Sequence, residues 1–175
     1  MKIQVYILLI NLLFLTEVFG QSLKLDDAFE LINSTPSKMT VKLANNNWKF
    51  FDAKKEMSDD GTLSIHEEIT FHYYNKIDKS RTGTFVYKKT MSIDMRKDIG
   101  NYAKVYYSFI DTEILNNLIY ALDKKGLKIK QDEVLQTGQI VKSYRHNDYN
   151  IALLTTASNQ GQVYTLFLET KYTVD

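Results

Sequence analysis

Residues 63–74 read LSIHEEITFHYY, and this stretch decides the fold class. Apolar side chains occupy every second position, interrupted only by Glu67, and polar side chains fill most positions between them. A period of two is typical of an antiparallel strand that buries one face and exposes the other. The sequence therefore predicts an inner face with Leu63, Ile65, Ile69, Phe71 and Tyr73, and an outer face with Ser64, His66, Glu68, Thr70, His72 and Tyr74.

Further strands are predicted on both sides of this one. Strand material begins at Trp48, and two later segments alternate with the inner residues Phe85, Tyr87, Met91, Ile93 and Ala103, Val105, Tyr107, Phe109. Three or four more strands are expected to start at Leu127, Gln139, Tyr149 and Gln162. Turn-forming residues separate these segments at 59–61, 98–101, 138 and 159–161.

Three segments are candidates for helices. Leu25, Ala28, Phe29 and Ile32 form a helical stripe. Residues 35–46 are ambiguous, because Thr35-Pro36 is typical of a helix start whereas Met39, Val41 and Leu43 alternate as in a strand. The third helix is capped by Asp111 or Thr112 and ends at Lys124-Lys125-Gly126, with the apolar stripe Ile114, Leu115, Leu118, Ile119 and Leu122.

The order of these elements predicts a single α+β domain, an antiparallel sheet with helices on one face. Residues 43–50 (LANNNWKF) and 122–129 (LDKKGLKI) both lead from a helix end into a strand, and a Gly-containing turn follows each. This echo suggests a tandem duplication of a helix-plus-β-meander unit, with pseudo-repeats 21–98 and 99–175. The alternative is that short strands in any α+β protein produce such an echo.

The N-terminus predicts a secretory signal peptide at residues 1–20. Lys2 precedes an apolar run of about eleven residues, and Val18 and Gly20 suit cleavage before Gln21. An uncleaved membrane anchor is the alternative, although the run is short for a bilayer. Because the chain has no Cys, it offers no acceptor for a bacterial lipoprotein lipid. We therefore expect an exported domain, residues 21–175, that is periplasmic or secreted and is not a lipoprotein.

Composition excludes several classes of protein. The chain has 175 residues, 22 Lys and Arg against 21 Asp and Glu, a formal net charge of +1 and no Cys. A disulfide scaffold, an iron–sulfur protein and a thiolate zinc site all need Cys. General nucleic-acid binding needs a basic excess. Phosphate loops, G-x-S-x-G and H-E-x-x-H are also missing from the sequence, so we expect no cofactor and assign no catalytic residue.

His66, Glu68 and His72 are the sharpest cluster of potential metal ligands. At about 3.3 Å per residue, His66 and Glu68 lie about 6.6 Å apart on one strand face, whereas His72 lies about 20 Å from His66. All three cannot meet at one ion, and a zinc site would need a further ligand such as His146. The interpretation that we favour is a solvated polar face without a metal.

Exposed tyrosines mark a second candidate site. Tyr74, Tyr102 and Tyr106 are predicted on the faces opposite the apolar ones, with Lys104 between the last two. Tyr offers a large, rigid and amphipathic contact area, which suits recognition. The alternative is that Tyr simply suits strands. The predicted binding surface therefore comprises His66, Glu68, His72, Tyr74, Tyr102, Lys104 and Tyr106.

The chain resembles uncharacterised small exported proteins of Bacteroidota. The resemblance rests on Phe19-Gly20-Gln21, an aromatic-led strand near Trp48 and residues 124–128 at the end of the last helix. The tandem helix-plus-sheet pattern also resembles that of periplasmic inhibitor proteins such as the β-lactamase inhibitory protein. The first resemblance implies no activity and no functional residue, and the second is a resemblance of fold only.

The function expected from the sequence is an exported, non-enzymatic interaction module that binds a protein or an envelope component. Nucleic acid is not an expected partner, and no integral membrane segment is expected after cleavage. A periplasmic inhibitor or immunity-type protein is one alternative. A small metal-dependent or hydrolytic enzyme is the other.

Overall fold

The computed structural model describes residues 23–59, 63–92, 102–159 and 161–170. The predicted signal peptide and its cleavage site at Gly20 and Gln21 lie outside these ranges, as do Ile93 and the centres of the turns predicted at 59–61 and 98–101. The helices are α1 (Leu25–Ile32), α2 (Pro36–Asn45) and α3 (Thr112–Lys124). The strands are β1 (Lys49–Asp59), β2 (Leu63–Tyr74), β3 (Arg81–Ser92), β4 (Tyr102–Phe109), β5 (Ile129–Val134), β6 (Ile140–Tyr144), β7 (Tyr149–Ser158) and β8 (Gly161–Thr170).

All eight strands belong to one antiparallel sheet. Their order is β1-β2-β3-β4-β8-β7-β6-β5, so each run of four strands is a meander and the two runs meet where β4 pairs with β8. The α+β class and the antiparallel sheet are therefore confirmed.

The core lies between the helices and one face of this sheet. On β4 the buried and half-buried residues alternate, and Val105, Tyr107 and Phe109 point into the core. On β2 the inner residues Ile69, Phe71 and Tyr73 are buried, as their period predicted, whereas the inner residue Ile65 is only half-buried and the outer residue Ser64 is buried. Helix α1 packs over the central strands β4 and β8, and α2 contacts β1. One cluster joins the buried residues of helices and strands, and none of the three helices in the described residues lies on the opposite face of the sheet.

Local capping explains where the helices begin and end. The ambiguous segment is helix α2, in which the Thr35 hydroxyl accepts a hydrogen bond from the Lys38 N–H at 3.5 Å and Pro36 occupies the first turn. For α3, the carboxylate of Asp111 accepts from the Glu113 N–H at 2.8 Å, so Asp111 is the N-cap. The predicted stripe of α3 is corrected at Ile119, which is exposed.

Helices α2 and α3 end in the same way. The Trp48 N–H donates to the Leu43 carbonyl, and the Leu127 N–H donates to the Leu122 carbonyl. The residue before each donor has a left-handed backbone, with φ of 64° at Asn47 and 70° at Gly126. Gly and Asn adopt this conformation most easily, which explains their use at these two helix ends.

The end of the sheet formed by the second meander is less well covered. Strand β5 is exposed along its whole length, and the apolar side chains of Ile129, Val134 and Ile140 are exposed too. Among the described residues, no helix combines the length and the apolar character needed to cross a membrane.

Candidate functional site

The candidate site is the side of the sheet opposite the three described helices, which we call the open face. On β4 it presents Tyr102, Lys104, Tyr106 and Ser108, all half-buried. Because antiparallel pairing sets residues directly opposite one another, the open-face side chains of neighbouring strands form rows across the sheet. Three such rows cross the centre of the open face.

The first row, which we call the charged row, runs from β1 to β7. Its members, in register, are Lys54, Glu68, Lys88, Lys104, Glu169 and Asn150. The Lys88 ammonium lies 2.6 Å from the Glu68 carboxylate, and the Lys104 ammonium lies 2.9 Å from Glu169. The Asn150 amide donates to the second Glu169 oxygen at 2.9 Å.

Pairing within the charged row compensates for a like-charge contact. Lys88 and Lys104 stand directly opposite each other on β3 and β4, an arrangement that is destabilising when it is uncompensated. Each of these two ammonium groups has its own carboxylate, and the hydrogen bond that the Lys104 ammonium donates to Glu169 is the main cause that raises the pKa of Lys104. With three Lys and two Glu the row has a formal charge of +1, and each of these solvent-accessible ion pairs adds about 1 kcal/mol or less to stability.

The second row is apolar and aromatic, and we call it the apolar row. From β2 to β7 it consists of Thr70, Val86, Tyr106, Phe167 and Ala152, and the polar residues Asp52 on β1 and Ser143 on β6 continue it at its two ends. The rings of Tyr106 and Phe167 pack with centroids 5.1 Å apart and planes inclined at 49°. On its other side lies the hydroxyl row of Thr84, Ser108 and Thr165, in which the hydroxyls of Ser108 and Thr165 are 2.8 Å apart. An uncharged aromatic centre is thus bordered by polar side chains on both sides.

A cleft of about 390 Å³ opens on this face around the charged row. Within it, the Lys104 ammonium stands 4.8 Å from the centre of the Tyr102 ring, in cation–π geometry. Five of the seven residues predicted for a binding surface line the cleft: His66, Glu68, Tyr102, Lys104 and Tyr106. The other two, His72 and Tyr74, lie at the far end of β2.

The ring of His66 is held between two hydroxyl groups. Its Nε2 lies 3.0 Å from the Ser64 hydroxyl, and its Nδ1 lies 3.1 Å from the Thr90 hydroxyl. Ser64 and Thr90 are buried, and buried hydroxyls require hydrogen-bond partners. His66 supplies one to each of them, so a metal ion could bind this ring only by displacing one of these hydrogen bonds.

The proposed metal ligands are not brought together. His146, named as a further ligand, packs against Phe29 and Tyr149 with ring centroids 5.7 and 5.1 Å away, beside α1. Within the parts of the chain that the structure describes, no three His, Cys, Asp or Glu side chains are placed to hold a metal ion.

A chelator is therefore expected to leave thermal stability unchanged. Excess EDTA should not move the unfolding midpoint, because both His66 nitrogens already have protein partners. The measurement is differential scanning fluorimetry with and without EDTA, with His66→Ala as the comparison. A midpoint that falls by several degrees with EDTA, in the wild type but not in His66→Ala, would establish a metal site and favour the enzyme alternative.

His72 departs from the expected solvated face. Only 5% of it is exposed, because the Phe51 ring stacks on it with centroids 4.2 Å apart and planes inclined at 30°. A β-bulge between Phe50 and Asp52 brings Phe51 to the open face. Burial, and secondarily the charge of Arg81, lowers the pKa of His72.

Sequence reasoning missed Phe167, Lys88 and Glu169, which belong to the centre of the open face. Phe167 and Glu169 lie on β8, and only the pairing of β8 with β4 brings them beside Tyr106 and Lys104. The available signal was the alternation of Val163, Thr165, Phe167 and Glu169. It indicates that these side chains share an outer face, but it does not show which strand lies beside β8.

Comparisons of the chain with protein-family models, with curated proteins and with solved structures found no match. The geometry of the open face is therefore the basis for assigning a function.

Proposed function

We propose that this chain is an exported, non-enzymatic interaction module that binds a protein partner on the open face. The apolar row is the observation that carries the proposal. Protein interfaces combine an aromatic, uncharged centre with a polar rim, and the Tyr106–Phe167 pair lies between a charged row and a hydroxyl row in the same arrangement.

Tyr106 and Phe167 are the expected anchors of binding. Both are half-buried in the free protein, so each ring is already positioned by its neighbours and still offers surface to a partner. Large aromatic side chains at the centre of an interface dominate binding energy, because they bury much area and lose little conformational freedom.

The charges indicate the kind of partner. Lys88 and Lys104 are neutralised by Glu68 and Glu169, so the open face offers no row of free cations to a phosphate backbone. A protein surface with an apolar side chain at its centre and few charges complements this face better than a nucleic acid does.

Paired variants test the proposal. Tyr106→Ala and Phe167→Ala are compared with Tyr120→Ala, which removes an exposed aromatic ring from α3. A partner captured from extracts of the source organism with the wild type is purified, and its affinity for each variant is measured by calorimetry. We expect at least about tenfold weaker binding for both open-face variants and unchanged binding for Tyr120→Ala.

Equal affinity of all three variants would overturn the proposal. Circular dichroism of each variant excludes a folding defect as the cause of weak binding. If the partner is an enzyme, its activity in the complex distinguishes an inhibitor or immunity-type protein from a neutral binding module.

Export is part of the same proposal. It is supported by the basic start, the apolar run and the small residues within 1–20. Because the chain has no Cys, its folding depends on neither disulfide formation nor a reducing compartment. Intact-mass measurement of protein secreted by the source organism should place the N-terminus at Gln21. A mass that includes Met1 would contradict cleavage.

We also propose that the domain arose by tandem duplication. The strand order is symmetric about the β4–β8 pair, and α2 and α3 end in the same capping pattern at equivalent positions of the two halves. The helices differ, since two precede β1 and one precedes β5. In related sequences, the same residue types should recur at equivalent positions of the halves, and their absence would count against duplication.

A further inference from the structure

The contact between Phe51 and His72 connects the edge of the sheet to a titratable group. Strand β1 is the first in the sheet order, and among the described strands it pairs with β2 alone. Its ladder is interrupted by the bulge between Phe50 and Asp52, so Phe51 is held by side-chain contact at a point of weakened pairing. The stacked ring of His72 supplies that contact.

The surroundings of His72 favour its neutral form. On β1, Lys49 stands directly opposite it, and on β3 the opposite residue is the uncharged Thr84. On β2, the Tyr74 hydroxyl lies 3.3 Å from its Nδ1. Arg81, at the start of β3 and paired with Tyr74, adds a second cation.

The nearest acid on β1 is engaged elsewhere. Asp52 stands one row away, opposite Thr70, and its carboxylate lies 3.9 Å from the Lys54 ammonium. An imidazolium at His72 would therefore be buried near Arg81 and opposite Lys49, and among the described residues no carboxylate stands opposite it on β1 or β3, which is unfavourable.

We propose that Phe51 and His72 form a pH-sensitive latch that holds β1 on the sheet at neutral pH and releases it in acid. Opening at the bulge would lift Phe51 from the imidazole, hydrate the charged ring and uncover the His72–Tyr74 end of the open face. The latch is independent of what the open face binds.

The sign and size of the effect follow from proton linkage. In the opened segment, His72 has the ordinary pKa of 6.5, and in the closed sheet its pKa is lower. Between these two pKa values the open form binds more protons than the closed form. The stability of the closed form relative to the open form is therefore greatest above pH 6.5, and it decreases as the pH falls towards the lowered pKa. The opening equilibrium rises by at most about tenfold for each pH unit in this window.

Hydrogen exchange of the β1 amides tests the latch. In the wild type, protection of residues 51–54, corrected for the intrinsic rate, should fall several-fold between pH 7.5 and pH 5. His72→Gln cannot titrate and should show equal protection at both values. Loss of protection in acid that persists in His72→Gln, or pH-independent protection in the wild type, would overturn the proposal.

A direct titration keeps the test decisive if His72→Gln folds poorly. NMR of the imidazole in the wild type should give a pKa below 6.5, and Phe51→Ala should move it back towards 6.5 by opening the ring to water. The stacked Phe51 ring also attracts a cation. If that attraction dominated, the wild-type pKa would exceed 6.5 and would fall in Phe51→Ala, which would contradict the latch.

Discussion

Phe85→Ala is expected to cost about 3–5 kcal/mol of unfolding free energy, as truncation of a fully buried aromatic side chain usually does. Phe85 is completely buried, and its ring packs against Trp48 and Phe71 with centroids 6.5 Å away in both cases. Truncation removes these contacts and leaves a cavity that rigid neighbouring strands cannot close. A domain with a total stability of about 5–15 kcal/mol would lose a large fraction of it.

Phe50→Ala is the matched control, because it makes the same chemical change on the same face of the sheet. Phe50 lies on the edge strand β1 with 56% of its surface exposed, so its loss should cost below about 1 kcal/mol. Urea denaturation of both variants, with the same m-value used for each, measures the difference in unfolding free energy. Similar losses for the two variants would show that Phe85 does not lie at the centre of the core.

Leu118→Ala is expected to cost about 2–5 kcal/mol. Leu118 is buried in the middle of α3, between the buried residues Ile114 and Leu122. Because Ala has a higher helix propensity than Leu, the substitution does not weaken the helix itself. The loss of unfolding free energy therefore measures the packing of Leu118 in the core.

Tyr120→Ala, on the same helix, separates packing from helix formation. Tyr120 is 66% exposed, so its truncation should leave the urea midpoint nearly unchanged. An unchanged midpoint for Leu118→Ala as well would mean that this stripe of α3 does not pack into the core.

Much of the fold could be predicted because burial follows local periodicity. The period of two in residues 63–74 assigned Ile69, Phe71 and Tyr73 to the core, and the structure buries all three. The stripe of α3 is confirmed at Leu118 and wrong at Ile119, since the periodicity of an amphipathic helix does not fix how wide its buried face is.

The candidate site was predictable only in part. Alternation placed Tyr102, Lys104 and Tyr106 together on one outer face, because three residues of one strand at a spacing of two must share a face. It could not show that Phe167 and Glu169 would join them, because the register between β4 and β8 joins strands that are far apart in the chain.

His72 shows most clearly which structural features follow from the sequence alone and which follow only from the tertiary structure. By itself the sequence determined most of the helices and strands, with residues 35–46 left ambiguous, and for most residues which face each side chain takes, because both depend on the periodicity of neighbouring residues. Only the tertiary structure decided that a bulge in β1 would carry Phe51 over His72 and bury it, and that pairing would align an aromatic pair between polar rows. Those outcomes depend on pairing between separate strands, whose register the local pattern of any one strand does not contain.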